Sequence, residues 1–573
     1  WLKLSLKLPP FQCCRRHLKE MFPKGEPDKG TGEEPEDDAP IPDMLAHLPT
    51  KAAKNASKKL ESQAQPEEAE APGEIVSFTT GVFVPDNYKL DPADIYDFDT
   101  SQKLGEGGYG VVYKATHKLT GAVRAMKKIS KKRVRDINGL REEVEFMKRF
   151  DHPNIVKLYE TFEDKSHLYL IMEFCEGGEV LEKLQSMGGQ GGMSEIEVGY
   201  VMRQVFRAVH YLHLQNTAHR DLKMENMLLV RKGVGCHETP VKIIDFGLAK
   251  RVPPNGLTEQ KGTKWYLAPE LLAGDHYGVE VDIWACGIIM FMLLSSMPPF
   301  YKREDPHDDE ATYEAIQKQP LRFPSTKWKK RSNGCQALIK QLLNRDTKRR
   351  LTAAQAIKDK WLNEIAPAPF KHPLTSKEVE NLTAFFHQKR LTQATYELIV
   401  LRIAERKIKP WKDLFLTVDK EGTGAVDHDS LKIAMIDAGL QNTPAGTELL
   451  SLMNQRGRAL NYTEFLAASI DTTELINPDY LKAAFRVFDR NMDGDLDAEE
   501  LKVIFPVESL SGQGIESVGL VNGRLSFKDY CSLNGLDGDP GVPYVMDAKT
   551  RNQLAAKQAA AKKGDGKGCC VIS

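Results

Sequence analysis

A chain of 573 residues, 41% hydrophobic and 28% charged, has the composition of an ordinary globular protein and is long enough for roughly three or four domains. Its net charge of −1 excludes generalised attraction to nucleic acid, so any partner must be read from local patches. The nine cysteines are scattered and form neither a zinc spacing nor a disulfide framework, which suits a reducing, cytoplasmic compartment.

The chain opens on Trp1, so a preceding segment is expected, with whatever lipidation signal it carries. Residues 24–75 are rich in Glu, Asp, Lys, Pro, Ala and Gln and poor in aromatics. Such a stretch buries too little apolar surface to fold alone, and residues 1–95 are read as a disordered acidic extension. Over residues 96–365, short β-branched runs give way to longer helical periodicities, predicting a β-rich lobe followed by an α-rich lobe. The most apolar run, Ile283 to Met297, is shorter than the roughly 20 residues of a membrane span and reads as a buried helix.

Within 96–365 the chemistry-bearing motifs come in a fixed order. Gly105, Gly107 and Gly110 form GxGxxG, followed by Val111, Val112 and Tyr113, which favour a strand over the helix of a dinucleotide fold. Glycines there let backbone amides approach phosphate. Lys127, in Ala125-Met126-Lys127, is a candidate phosphate anchor, and Glu143 is placed to pair with it, although Glu142 and Glu145 are neighbours. His219-Arg220-Asp221-Leu222-Lys223 with Asn226 supplies a carboxylate for the substrate hydroxyl, a lysine for phosphoryl charge and a magnesium ligand. Asp245-Phe246-Gly247 supplies a second magnesium ligand, and Ala268-Pro269-Glu270 closes the segment.

These motifs resemble the protein kinase superfamily across residues 97–364, with Asp282-Ile283-Trp284 and Arg350 as further matches. The resemblance implies an α+β bilobal kinase fold and an ATP-dependent phosphotransferase. Asp221-Leu222-Lys223 and Gly262-Thr263 are similar to the serine/threonine branch. By the same resemblance the ATP site comprises Leu104, Gly105, Gly107, Gly110, Val112, Ala125, Lys127, Glu173, Cys175 and Glu179, with Met172 as gatekeeper. Glu179 and Glu225 sit where basophilic kinases bind an arginine upstream of the target residue, so protein substrates with basic residues there are expected.

Leu391, Ala394, Leu398 and Leu401 recur at helical spacing beside Lys389, Arg390, Arg402 and Arg406, predicting a basic amphipathic helix in a 366–408 junction. Residues 489–500 then form a full EF-hand loop. Asp489, Asn491, Asp493 and Asp495 are oxygen ligands, Gly494 makes the turn, Leu496 faces a sister loop, and Glu500 ends it bidentately. Three impaired hands surround it. The loop at Asp419 keeps Glu421, Thr423, Gly424 and Asp427 but ends in Ser430. The loop ending at Glu464 has Met453, Gln455 and Gly457 at ligand positions, and the one ending at Asp529 starts at Val518. The hands are expected to form pairs over 409–470 and 471–535, giving an all-α lobe.

A kinase, a junction helix and four hands in this order resemble the calcium-dependent protein kinases over residues 97–533. That resemblance implies that the junction helix blocks the kinase at rest and that the calcium-loaded lobe captures it. One full loop among four departs from the family pattern. A calcium-insensitive kinase with vestigial hands, or an EF-hand scaffold with incidental kinase activity, are the rival readings. Residues 536–573 read as a flexible basic tail ending Cys569-Cys570-Val571-Ile572-Ser573. Cys570 fits a prenylation box, Cys569 is a candidate for palmitoylation, and Lys557, Lys562, Lys563 and Lys567 suit an anionic membrane surface.

Overall fold

The computed structural model describes residues 84–536, apart from 89, 107–109, 188–191, 302–307, 368–372 and 505–522, together with 540–541. Gly107, Val518 and the cysteines and lysines of the C-terminal tail lie outside the described residues.

Alternating apolar positions build a six-stranded sheet. Its strands are β1 (Asp86–Tyr88), β2 (Tyr96–Glu106), β3 (Gly110–His117), β4 (Val123–Ser130), β5 (Leu158–Glu163) and β6 (His167–Glu173), in spatial order β1-β5-β6-β4-β3-β2. The register places Val112 opposite Lys127 and Ala125 opposite Met172. Because side chains alternate along a strand, Ala125 and Lys127 emerge on one face. Helix Ile137–Arg149, capped by the Asp136 carboxylate, buries Leu140, Glu143, Val144 and Met147.

The expected disorder up to residue 95 is corrected at its C-terminal end. β1 pairs in parallel with β5, and Leu90, Ile95 and Tyr96 join the sheet's hydrophobic core. These scattered apolar side chains have a preformed sheet edge to cover, which composition alone does not reveal.

The second lobe is helical and centres on Glu195–Leu214 and Glu280–Ser295. The second of these is buried over nearly its whole surface, as its unbroken apolar run requires. Among the described residues no helix is long and apolar enough to cross a membrane.

In the C-terminal region, helix pairs flank each described loop: Glu405–Val418 with His428–Asp437, Pro444–Arg456 with Tyr462–Ser469, and Pro478–Phe488 with Ala498–Ile504. The loops pair as their spacing predicts, Val426 opposite Leu460 and Leu496 opposite Leu525.

The junction helix departs from its expected one-sided character. From Leu391 to Val400 helix Arg390–Val400 is buried all round, Thr392, Gln393, Thr395 and Glu397 included, and its apolar residues join the same hydrophobic core as the hands. Full burial of each leucine there contributes roughly 1.5–3 kcal/mol. Arg402 is also buried, beside Glu160 of β5, rather than on a solvated basic face.

Candidate active site and calcium loop

The turn between Thr217–Ala218 and Met227–Leu229 carries the densest set of polar groups. Asp221 is held from three sides. Its Oδ2 accepts from Lys223 Nζ at 2.5 Å and Asn226 Nδ2 at 3.3 Å, and its Oδ1 accepts from Thr263 Oγ1 at 2.6 Å. Asn226 Nδ2 also donates to the Asp221 carbonyl at 2.8 Å, and Lys223 Nζ to Thr263 Oγ1 at 3.1 Å. Thr263, quoted in the sequence only as a serine/threonine marker, is thus part of the network around Asp221.

The backbone beneath this turn is held in the left-handed region at Arg220, with φ 65°, and again at Asp245, with φ 65°. Such conformations persist where surrounding bonds over-determine them. Buried Asp282 does this for the turn, its two oxygens accepting from the His219 and Arg220 amides at 2.9 Å each. His219 packs on Phe246 with ring centroids 5.0 Å apart, joining the turn to the Asp245 segment.

Lys127, Glu143 and Asp245 are each less than a tenth exposed, and a Cβ added at Gly247 would lie 3.3 Å from both the Glu143 and Asp245 carboxylates. The expected Lys127–Glu143 pair is not closed: among the described residues neither Lys127 Nζ nor either Glu143 oxygen has a hydrogen-bond partner. Burial, the dominant influence, draws the Lys127 ammonium below the usual lysine range. It also lifts the Glu143 and Asp245 carboxyls above theirs, and Asp221 adds to the rise at Asp245. A buried ammonium beside crowded, buried carboxylates fits a polyphosphate carrying a divalent metal.

Around the expected nucleotide site, Val112, Ala125, Met172 and Cys175 are buried, and Leu104, Gly105, Gly110 and Glu179 are half-buried. The Glu173 side chain is not available to a base. It pairs with Lys242 at 2.7 Å, leaving only its backbone for adenine. Glu179 caps helix Val180–Ser186.

The segment from Asp245 to Glu270 is braced at both ends. Arg350 holds Glu270 through two bonds of 2.7 and 2.9 Å. Arg220 donates to Glu259 at 3.2 Å, with Lys250 at 3.3 Å on the same carboxylate.

In the 489–500 loop the carboxylates organise the backbone. Asp489 accepts from the Asp493 and Gly494 amides at 3.1 and 3.0 Å, and Glu500 Oε1 accepts from Arg490 and Asn491 at 2.8 and 3.1 Å. Asp493 and Asp495 lie 3.5 and 3.4 Å from Arg524. Among the described residues no three acidic, histidine or cysteine side chains converge into a cation cluster. Burial first, then Glu500 and Asp493, lifts the Asp489 carboxyl to about 7. A divalent cation relieves that crowding, so this donor set fits calcium.

The hands also touch the catalytic domain. Met492 of the 489–500 loop is buried in the core of the β1–β6 sheet, and Arg486, one turn before the loop, donates to both Glu160 oxygens at 2.8 Å. Arg124 donates to the Leu401 carbonyl at 2.8 Å. Thr463 donates its amide and hydroxyl to Asp151 at 2.9 and 2.6 Å. Asp419, in the first of the impaired loops, is bonded by Arg207 at 3.0 Å. None of these long-range pairs was foreseen from the sequence.

Comparison with known proteins agrees with this geometry. The protein kinase domain family matches residues 98–362, and the EF hand family matches residues 481–505. Calcium-dependent protein kinase 3 of Plasmodium berghei is 32% identical over 456 residues, covering 77% of this chain and 80% of that protein. Calcium-dependent protein kinase 5 of Plasmodium falciparum is 34% identical over 416 residues, 71% of each chain. Calcium-dependent protein kinase 7 of Arabidopsis thaliana is 31% identical over 453 residues, covering 76% of this chain and 82% of that one. With a kinase domain, which implies ATP and magnesium, and an EF-hand, which implies calcium, the chain belongs to the calcium-dependent protein kinase family and is a calcium-regulated protein serine/threonine kinase.

Proposed function

We propose that this kinase phosphorylates proteins bearing a basic residue upstream of the target Ser or Thr, and that it works at an anionic membrane surface to which a lipidated tail holds it. The observation that carries the catalytic reading is the gathering of Lys127, Asp221, Lys223, Asn226 and Asp245 around one turn. In this reading Asp221 orients the substrate hydroxyl and receives its proton. Lys223 sits against the transferring phosphoryl group, and Lys127 anchors the phosphates with Glu143 behind it. Asn226 and Asp245 would hold magnesium, which when bound neutralises charge on the β- and γ-phosphates. Leu104, Gly105, Val112, Ala125 and Cys175 frame the base in this reading, with Gly110 on the phosphate side.

Glu179 and Glu225 are half-buried carboxylates on the same lobe, and an exposed arginine of a substrate gains most from such partly desolvated charge. Glu179→Gln with Glu225→Gln should lower kcat/KM for an arginine-bearing serine peptide by about 10-fold, on the scale of one charge-assisted hydrogen bond. The arginine-to-alanine peptide should be turned over equally by variant and wild type. Equal loss on both peptides would overturn the basophilic reading.

For the membrane reading, a prenyl group on the Cys570 thiol is weak alone and is supplemented by acylation at Cys569 and by Lys557, Lys562, Lys563 and Lys567. Each lysine contributes on the order of 1 kcal/mol near an anionic surface. Cys570→Ser should release the protein to the soluble fraction, and Cys569→Ser should weaken retention without preventing prenylation. Intact mass of the C-terminal peptide from prenylation-competent cells decides it. An unmodified peptide retaining Val571 to Ser573 contradicts the anchor.

A further inference from the structure

The second hand has no carboxylate at its first, third and fifth positions, where Met453, Gln455 and Gly457 stand, yet it keeps the closing carboxylate, Glu464. That side chain is 1% exposed, so an ionised Glu464 needs a cation. The chain provides two. Arg458 forks onto the carboxylate, NH1 to Oε2 at 2.9 Å and NH2 to Oε1 at 3.1 Å, and Arg456 also donates to Oε1. Both oxygens that a calcium ion would take bidentately are thus bonded by guanidinium groups covalently part of the loop.

The first hand uses the same chemistry across the domain boundary. Arg207, on catalytic helix Glu195–Leu214, donates to both the carboxylate and the carbonyl of Asp419, at 3.0 and 2.6 Å. Asp419 is 1% exposed, and its carboxylate also accepts from the Thr423 amide and hydroxyl and from the Gly424 amide. At Gly424 an added Cβ would lie 2.6 Å from the Tyr211 ring and 2.9 Å from the His152 ring, so the loop lies directly against the catalytic domain. Thr463, the neighbour of Glu464, completes the contact by bonding Asp151 through amide and hydroxyl. Asp151 follows Phe150, which ends the helix carrying Glu143 and packs on Phe246 with centroids 4.8 Å apart.

We propose that the first two hands form a calcium-independent docking surface for the catalytic domain, in which arginine replaces the metal: Arg456 and Arg458 in the second loop, Arg207 at the first. This deepens the calcium-regulated reading. The 489–500 loop and its Met492 and Arg486 contacts respond to calcium, whereas the 409–470 pair stays on the end of the Glu143 helix at any calcium concentration.

Hydrogen exchange on the full chain, in calcium and in chelator, tests this. Peptides covering 145–152 and 458–466 should exchange equally in both conditions, within about 2-fold, while 489–500 exchanges faster in chelator. Arg456→Met with Arg458→Met should raise exchange across 458–466 at least 10-fold in both conditions. Should that variant unfold the lobe, Thr463→Val keeps the Glu464 cluster and should expose 145–152 alone. Calcium-binding stoichiometry, measured with calcium itself, should be unchanged in Glu464→Gln and in Asp419→Asn. Loss of protection at 458–466 in chelator by the wild type, or loss of a bound ion in either of those variants, overturns the proposal. Failure of Glu500→Gln to remove an ion would instead count against the calcium loop and leave the arginine dock standing.

Discussion

Asp245→Asn and Lys127→Met should each reduce ATP-dependent peptide phosphorylation by about 10²–10³-fold, the scale of losing one preorganised electrostatic group. Phosphoryl transfer leaves little covalent chemistry to the protein, so positioning and charge supply nearly all of the acceleration. Among the described residues Lys127 Nζ makes no hydrogen bond, so its removal costs them none. Asp245 is buried with its carboxyl raised, first by burial and then by Asp221, so the amide also relieves local strain. Both variants should therefore melt at or above the wild-type temperature while turning over far more slowly. A folded variant with wild-type turnover would contradict the assignment.

The largest structural effect is expected at Glu160→Gln. Glu160 is 1% exposed and accepts two bonds from Arg486, lies 3.7 Å from Arg402 and accepts from the Tyr96 hydroxyl at 3.2 Å. Neutralising it leaves two buried arginines uncompensated, which costs about 3–5 kcal/mol. Burial alone would raise the Glu160 carboxyl, but Arg486 and Arg402 outweigh burial and hold it at about 2 against an ordinary 4.5. A depressed carboxylate contributes stability above its unfolded value and loses it as pH falls toward its folded value. The difference in Tm between wild type and Glu160→Gln should thus be full above pH 4.5 and close on approach to pH 2. A pH-independent difference would show that packing, not charge, holds this contact.

The candidate catalytic motifs were legible because each is local and its chemistry is written in adjacent side chains, as in Asp221, Lys223 and Asn226. The 489–500 loop was legible for the same reason. Contacts between the two regions were not, because their partners lie hundreds of positions apart, 212 for Arg207 with Asp419 and 326 for Glu160 with Arg486. Helix Arg390–Val400 misled by its polar residues. Thr395 is satisfied by the Leu391 carbonyl and the Tyr530 hydroxyl, and Gln393 by the Phe385 carbonyl, so both are buried without an orphaned polar group. Glu397 is buried with no hydrogen-bond partner for either oxygen, and burial pushes its carboxyl well up, toward the neutral form that tolerates such a site. Periodicity reads polarity as exposure, and here tertiary partners reverse that reading.

The most direct test of calcium control is the initial rate at which the full chain phosphorylates an arginine-bearing serine peptide, in saturating calcium and in chelator, for wild type and Glu500→Gln. Removing the bidentate carboxylate weakens the ion without touching the catalytic turn. The wild type should be faster in calcium by about 5- to 150-fold, the usual range of coupling between two sites, and Glu500→Gln should remain near the chelator rate at the same calcium concentration. Equal wild-type rates in calcium and chelator, matched by the variant, would contradict calcium control through this loop.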